Sequence, residues 1–139
     1  MANRSLFDTA ARFLMAFFFL ASGAGKVFAF QPSAAILAAI GFPSSTVFLI
    51  GIICIEIGGG LCLLFELGTR YVSALLILFL IFATITIHGP FINDPVRGPD
   101  QIIHMLKNIA IIGGLLKFFV DGGGAFSIDN RLRGEVING

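Results

Sequence analysis

The sequence has few charged residues, and this scarcity decides the class of protein. Lys, Arg, Asp and Glu make up only 12% of the 139 residues, whereas hydrophobic residues make up 57%. Soluble domains carry about 25% charged residues, so the composition predicts an integral membrane protein. The formal net charge is only +1 and basic residues do not alternate with aromatic ones, so we expect no nucleic-acid partner.

Cysteine is also scarce, which argues against a disulfide framework and against a thiol redox site. The two cysteines, Cys54 and Cys62, stand eight residues apart in one apolar segment. On a helix this separation is about 12 Å, which a disulfide cannot bridge, and no CxxC motif is present. We therefore expect both to be small, buried apolar side chains.

Motifs of soluble enzymes are absent as well. No Ser/His/Asp or Cys/His arrangement is found, and Gly122 to Gly124 do not follow a strand as a phosphate-binding loop would. No metal site is predicted, because no ligand-spacing motif is found. Whether the chain is an enzyme is left open.

Four long apolar runs are present instead, and they predict an all-α, integral membrane four-helix bundle formed by a single domain, residues 1–139. The four transmembrane helices are expected at about residues 8–28, 46–66, 70–89 and 101–120. The segment 31–45 is too short to span and predicts a short interfacial helix between the first and second spans. A polar tail follows at 121–139.

The first run has an alternative interpretation as a cleavable signal peptide, since it follows basic residues. Three further spans and Lys26 at its far end favour a retained helix. Small residues predict where helices approach closely: Ala21 and Gly25 in the first span, and Gly59 with Gly60 in the second.

Polar side chains interrupt the runs at membrane depth. His104, Lys107 and Asn108 share one face of the fourth helix, because they are spaced three and four residues apart. Glu56 lies roughly 15 Å into the second helix. A Lys in hydrocarbon costs about 2.5–3.5 kcal/mol on insertion scales, so we expect these groups to face a partner or a wet cavity.

The basic residues predict the orientation of the bundle. Four spans place both termini on one side, and six Lys or Arg residues lie on that side: Arg4, Arg12, Arg70, Lys117, Arg131 and Arg133. The opposite side has only Lys26 and Arg97, with Lys107 left out because it lies within the membrane. The positive-inside rule therefore places both termini in the cytoplasm.

This topology brings six polar residues to similar depths and leaves the inner half nearly pure hydrocarbon. We predict an outward-opening pocket in the outer half, whose candidate residues for ligand binding or proton handling are Lys26, Glu56, His88, His104, Lys107 and Asn108.

Two interpretations of this pocket stay open. In the first, Glu56 forms a structural ion pair, with Lys107 as the expected partner and Lys26 as the alternative. In the second, the pocket is a binding or proton-handling site with Glu56 as its titratable group. A haem held by His88 and His104 is disfavoured, because a His at a membrane edge more often hydrogen-bonds to water or a loop. A zinc ion held by the two His and Glu56 is disfavoured as well, because the depths of these residues disagree.

Several motifs, taken in chain order, resemble the DoxX family. They cover almost the whole chain and are Ser22-Gly23-x-x-Lys26, Glu56-x-Gly58-Gly59, Gly68-Thr69-Arg70, His88, Lys107-Asn108 with Gly113-Gly114, and the tail from Gly122 to Asp129. The closest likeness is to the YphA-type bacterial inner-membrane branch. The resemblance implies a four-helix inner-membrane protein.

The resemblance also implies a link to membrane redox chemistry, because a related branch supplies a subunit of thiosulfate:quinone oxidoreductase. The leading hypothesis is a small-molecule-binding module, with a quinone as the ligand and a membrane redox subunit as partner. The alternatives are a transporter or proton-coupled carrier using Glu56, and a structural or assembly protein. The lipid bilayer is the expected environment, and homo-oligomerisation is left open.

Overall fold

The computed structural model describes residues 2–123 and, of the side chains, those from Leu6 onward. The polar tail expected at 121–139, including the family-like segment that ends at Asp129, therefore lies almost entirely outside the described residues.

Within that part of the chain the fold is all helical. The helices are α1 (Ala2–Phe28), α2 (Phe30–Ala39), α3 (Ser45–Leu64), α4 (Thr69–Ala83) and α5 (Gly98–Asp121). A π-helical turn at Thr84–His88 and a 3-10 turn at Gly89–Phe91 prolong α4. Four of these segments are long and apolar enough to cross a membrane, and α2 is the short helix between the first two. The predicted four-helix membrane bundle is confirmed.

Helix boundaries differ from the predicted ones where turn chemistry decides them. α3 ends at Leu64, two residues early, because Glu66 and Gly68 adopt positive φ angles of 54° and 55° and reverse the chain. α5 begins at Gly98, three residues early, because Pro99 fits the first helical turn, where its missing N–H costs nothing.

The loop before α5 is fixed by Asp94. Its carboxylate accepts hydrogen bonds from the backbone N–H groups of Val96 and Arg97, at 2.8 and 2.9 Å. These two bonds hold the pKa of Asp94 below its ordinary value, because they stabilise the charged carboxylate. The loop therefore keeps a defined shape at the mouth of the bundle.

Helix α3 packs against both α1 and α4, and glycines allow the close approach. A Cβ on Gly60 would lie 2.9 Å from Leu20 of α1, and one on Gly59 would lie 2.7 Å from Leu76 of α4. The contact predicted at these two glycines is confirmed. The one predicted at Ala21 and Gly25 is wrong, because both are exposed and Gly23 is the glycine of α1 that meets α3.

Each spanning helix contributes a fully buried apolar side chain to the core, namely Phe19, Leu63, Leu76 and Leu115, each 0% exposed. We call the end of the bundle that holds α2 and the 92–97 loop the outer end, and the opposite one the inner end.

The inner end contains a charged cluster, so the expectation of pure hydrocarbon there is wrong. Arg12 of α1 is only 3% exposed. Its Nε lies 3.0 Å from Asp8 Oδ2 and 3.8 Å from Glu66 Oε1, and its Nη2 donates to the Gly122 carbonyl at 2.7 Å. The ring of Phe118 lies 4.9 Å from the guanidinium carbon. We call these five residues the Arg12 junction.

The cysteines match the prediction only in part. Cys54 and Cys62 are free thiols, as expected. Cys62 is half-buried, but Cys54 is exposed on the outside of α3, where the surrounding solvent is hydrocarbon rather than water. An apolar thiol is compatible with that surface, so the error concerns burial and not chemistry.

Candidate functional site

A cavity of about 210 Å³ lies in the outer half of the bundle. Its wall includes all six residues singled out in the sequence, which are Lys26, Glu56, His88, His104, Lys107 and Asn108. Apolar side chains supply the remaining surface, chiefly Phe18, Ile52, Phe79 and Ile87. We call it the polar cavity. The six residues are thus brought together, while their role stays a prediction.

One side of the polar cavity is an ion pair between α1 and α3. Lys26 Nζ lies 2.9 Å from Glu56 Oε1 and 2.8 Å from Oε2, so it donates to both carboxylate oxygens. Ser22 Oγ donates to Oε1 at 3.0 Å and accepts from Lys26 at 2.9 Å. Glu56 is only 4% exposed, so the pair satisfies a charge that would otherwise be costly in this environment.

The expected contact between Glu56 and Lys107 is wrong, and the alternative partner, Lys26, is the one observed. The reason is the close approach of α1 to α3 at Gly23, where a Cβ would lie 3.3 Å from Glu56 Cβ and 2.6 Å from Ile57. Lys26 follows Gly23 by one helical turn and is therefore carried directly onto the carboxylate.

Lys107 instead faces groups that carry no negative charge. Its Nζ lies 3.1 Å from His104 Nδ1 and 5.3 Å from the centroid of the Phe18 ring. Among the described residues that line the cavity, Glu56 is the only acid, and Lys26 already engages it. The polar cavity therefore holds one positive charge that its own wall does not balance.

The α4 side of the cavity depends on the π-helical turn. Asn108, which is 3% exposed, donates from Nδ2 to Thr84 Oγ1 at 2.9 Å, and Thr84 donates back to the Leu80 carbonyl at 2.7 Å. Thr84 begins the π-helical turn and His88 ends it. Such turns occur frequently at functional sites because they change the direction of side chains on a helix.

His88 and His104 stack face to face at the cavity mouth. Their ring centroids are 5.2 Å apart, with an angle of 10° between the planes. His88 Nδ1 lies 2.6 Å from Gln101 Oε1, so it is the protonated donor of that bond. In this stack the ring faces, and not the nitrogens, point at one another, which is not the arrangement that clamps a haem iron.

A metal site finds no support in the geometry either. In the part of the chain that the structure describes, no three His, Cys, Asp or Glu side chains gather as metal ligands would. The polar cavity thus offers hydrogen-bond donors, one carboxylate and an apolar surface, which is a set of groups suited to an organic ligand.

Ser22, Gln101 and Thr84 were missed in the sequence although they position site residues. Ser22 lies one turn before Lys26 on the same helical face, and this spacing could have identified it. Thr84 shares a helical face with His88 at the same spacing, whereas Gln101 gave no comparable signal, because its contact depends on how α5 packs against the π-helical turn.

Fold and cavity together define a helical membrane protein with a small polar site enclosed in its outer half. A family model described as DoxX matches residues 7–89. The chain is also 33% identical over 122 residues to inner membrane protein YqjF of Escherichia coli (strain K12), covering 88% of each chain. No solved structure matches. The chain belongs to the DoxX family and is a multi-pass protein of the bacterial inner membrane.

The matched family segment contains part of the site. Lys26, Glu56 and His88 lie within residues 7–89, whereas His104, Lys107 and Asn108 lie beyond them on α5. The likeness to the YphA-type branch stays a prediction, since the similar protein is YqjF.

Proposed function

We propose that this protein is a small-molecule-binding module of membrane redox metabolism, and that the polar cavity binds the head group of a quinone. The observation that carries the proposal is that the cavity wall has a polar part and an apolar part. Polar groups from α1, α3, α4 and α5 line part of it, and the rings and aliphatic chains of Phe18, Phe79 and Ile87 line the rest.

A quinone head group matches this division. Its flat ring is apolar on both faces, and its two carbonyl oxygens accept hydrogen bonds. Lys107 supplies an ammonium that is not paired with an acid, and the stacked histidines supply ring N–H groups at the mouth. Reduction of a quinone also takes up protons, and Glu56 and the two histidines are groups that exchange protons.

The size of the cavity limits what it holds. Pockets for drug-sized ligands measure about 300–1,000 Å³. A volume of about 210 Å³ therefore suits a single ring with short substituents rather than a whole tailed molecule. None of the described side chains on the wall is a redox centre, so the proposal includes a partner subunit that supplies or removes electrons.

Two alternatives fit the geometry less well. A proton-coupled carrier needs a path to the inner side, and Phe19, Leu63, Leu76 and Leu115, one fully buried side chain from each spanning helix, carry no group that exchanges protons. A purely structural role accounts for the Lys26–Glu56 pair, which satisfies itself. It accounts less directly for Lys107, which is exposed, lies over the Phe18 ring of α1 and has no acid on the cavity wall as its own partner.

The proposal is tested by titrating the purified protein in lipid nanodiscs with a tailless benzoquinone. Lys107→Met should weaken binding about tenfold, since a hydrogen bond to a charged group contributes about 1.5–3 kcal/mol. Lys117→Met is the matched control, because Lys117 is on the same helix, pairs with Asp121 and lies outside the cavity. Equal affinities for the wild type and both variants, or no binding to the wild type, would contradict the proposal.

A further inference from the structure

A second, apolar hollow lies beside the polar cavity, on the outside of the bundle. It is a groove of about 480 Å³ between α3 and α4, with a surface that is almost entirely hydrocarbon. Phe48 and Ile55 line it on α3, and Leu78 and Phe82 line it on α4. We call it the α3–α4 groove. It faces the bilayer, because both helices are membrane spans.

The groove and the polar cavity share part of their wall. Ile52 of α3 and Phe79 of α4 line both of them. Both side chains are buried, at 5% and 8% exposure, so they separate the two compartments. Ile52 lies one turn before Glu56 on α3, so the two side chains that separate the compartments lie at about the depth of the Glu56 carboxylate. A chain that passes from one compartment to the other has to displace these two side chains.

We infer that the α3–α4 groove is the binding subsite for the hydrocarbon tail of the ligand whose head group occupies the polar cavity. The inference rests on the proposed function and adds a ligand class, a ring with an apolar chain. It also assigns Ile52 and Phe79 as the gate through which the chain passes. The continuity of the two walls favours this occupant over an unrelated lipid chain.

The groove is built to pack against a chain. Lipid tails are as apolar as the groove, so a chain gains little from the hydrophobic effect when it leaves the bilayer and must gain from contact. Phe48 and Phe82, which line the outer end of the groove, supply such contact. Their rings form a cluster with that of Phe42, with centroids 4.6 to 6.4 Å apart. A rigid aromatic wall holds one chain better than mobile lipid does.

Gly51 provides a way to fill the groove without disturbing the bundle. It lines the groove, and a Cβ at this position would meet nothing within 4 Å. Gly58 is a matched control on the same helix, since its Cβ would also meet nothing within 4 Å and it lines neither compartment.

The experiment compares a tailless benzoquinone with its decyl derivative in nanodiscs, for the wild type, Gly51→Phe and Gly58→Phe. Gly51→Phe should weaken binding of the decyl compound about five- to tenfold, since the lost contacts are dispersion contacts of several methylene groups. It should leave the tailless compound within about twofold, and Gly58→Phe should change neither. Comparison between variants for one compound cancels its partitioning into the lipid.

The outcomes separate this inference from the proposed function. If both compounds bind and Gly51→Phe weakens neither, the tail subsite is wrong and the head-group site stands. If Gly51→Phe weakens both equally, the groove does not act on the tail and the inference also fails. If the wild type binds neither compound, both the proposed function and the tail subsite are wrong.

A direct measurement locates the tail. A decylquinone carrying a photoreactive group at the end of its chain should label peptides from residues 47–55 and 75–82. Excess unlabelled decylquinone should suppress this labelling, and so should excess tailless quinone, because it competes for the polar cavity. A chain that lies in the groove as ordinary lipid would not be displaced by the tailless compound. Labelling spread over all lipid-facing helices would overturn the inference.

Discussion

The two ends of the bundle each hold a basic residue of α1 close to an acid of the α3 segment, yet they differ in what surrounds the pair. At the inner end, Arg12 contacts Asp8, Glu66, the Gly122 carbonyl and the Phe118 ring. At the outer end, Lys26 and Glu56 form part of the wall of a cavity.

The difference separates a structural role from a binding role. The surroundings of Arg12 consist of protein groups that tie α1 to the ends of α3 and α5, which is sufficient reason for a charge at that place. The polar cavity holds Lys107 in addition to a pair that is already satisfied. Lys107 is an exposed cation over the Phe18 ring without an acidic partner of its own on the cavity wall, and its position beside space for a ligand supports the proposed binding role.

The largest expected effect is in a labelling experiment that reports which end of the bundle faces the cytoplasm. The positive-inside rule places the outer end in the periplasm. In a cysteine-free background, a cysteine at Val96, which is 85% exposed, should react with a membrane-impermeant maleimide in intact cells. A cysteine near the C-terminus should react only after permeabilisation. The reverse pattern would make the polar cavity open towards the cytoplasm.

The next effect is the loss of stability when the Arg12 junction is broken. Arg12→Met leaves Asp8 and Glu66 without their buried cation, which should lower the free energy of unfolding by about 3–5 kcal/mol. Arg70→Met is the matched control, because Arg70 also binds a carbonyl near the end of α5, that of Val120, but does so at the surface. Its cost should be about 0–1 kcal/mol.

Both variants are compared by far-ultraviolet circular dichroism during SDS titration, since the chain has no Trp and one Tyr for fluorescence. The folded Arg12→Met protein should bind the tailless quinone as the wild type does. A loss of quinone binding without a loss of stability would make the inner end part of the site and remove the contrast between the two ends.

The smallest expected effect is the loss of stability when the ion pair of Lys26 and Glu56 is broken. Lys26→Met should cost about 2–3 kcal/mol, less than Arg12→Met, because the Lys26 side chain is 30% exposed. Glu56→Gln should cost less again, since Lys26 can turn to water. The double variant should regain about 1–2 kcal/mol of the summed loss, whereas Glu56→Gln and Lys107→Met should add within about 0.5 kcal/mol.

If the double variant of Lys26 and Glu56 is stable and still binds the quinone, the pair has a structural role beside the site. A stable variant that binds none would make it part of the site. Strong coupling between Glu56 and Lys107 instead would mean that the observed pairing is not the one that governs stability.

The sequence was sufficient to predict the architecture and six of the side chains that line the polar cavity. Four apolar runs determined four spans, and a short run between Pro and Gly residues determined α2. The topology then fixed the depth of each polar residue. Depth alone was enough to bring Lys26, Glu56 and Lys107 to one level, where the structure has them around one cavity.

Depth was not enough to predict partners, because these depend on the rotation of each helix about its axis. Lys26 and Lys107 were both at the right depth for Glu56, and the choice between them was made by the contact of Gly23 with α3. Arg12 was counted as a marker of orientation, because nothing local distinguishes an Arg that extends to water from one that turns inward. The separation of the two compartments by Ile52 and Phe79 depends on three-dimensional packing in the same way.

The Arg12 junction also has a consequence for the biogenesis of the protein. The carbonyl that Arg12 binds belongs to Gly122, 110 residues further along the chain. When α1 is inserted into the membrane, only Asp8, one turn away, has been synthesised among its charged partners. The guanidinium must therefore remain at the hydrated interface, where it helps to retain the N-terminus. It can be enclosed only after the last helix has been inserted, so closing this junction completes the assembly of the bundle.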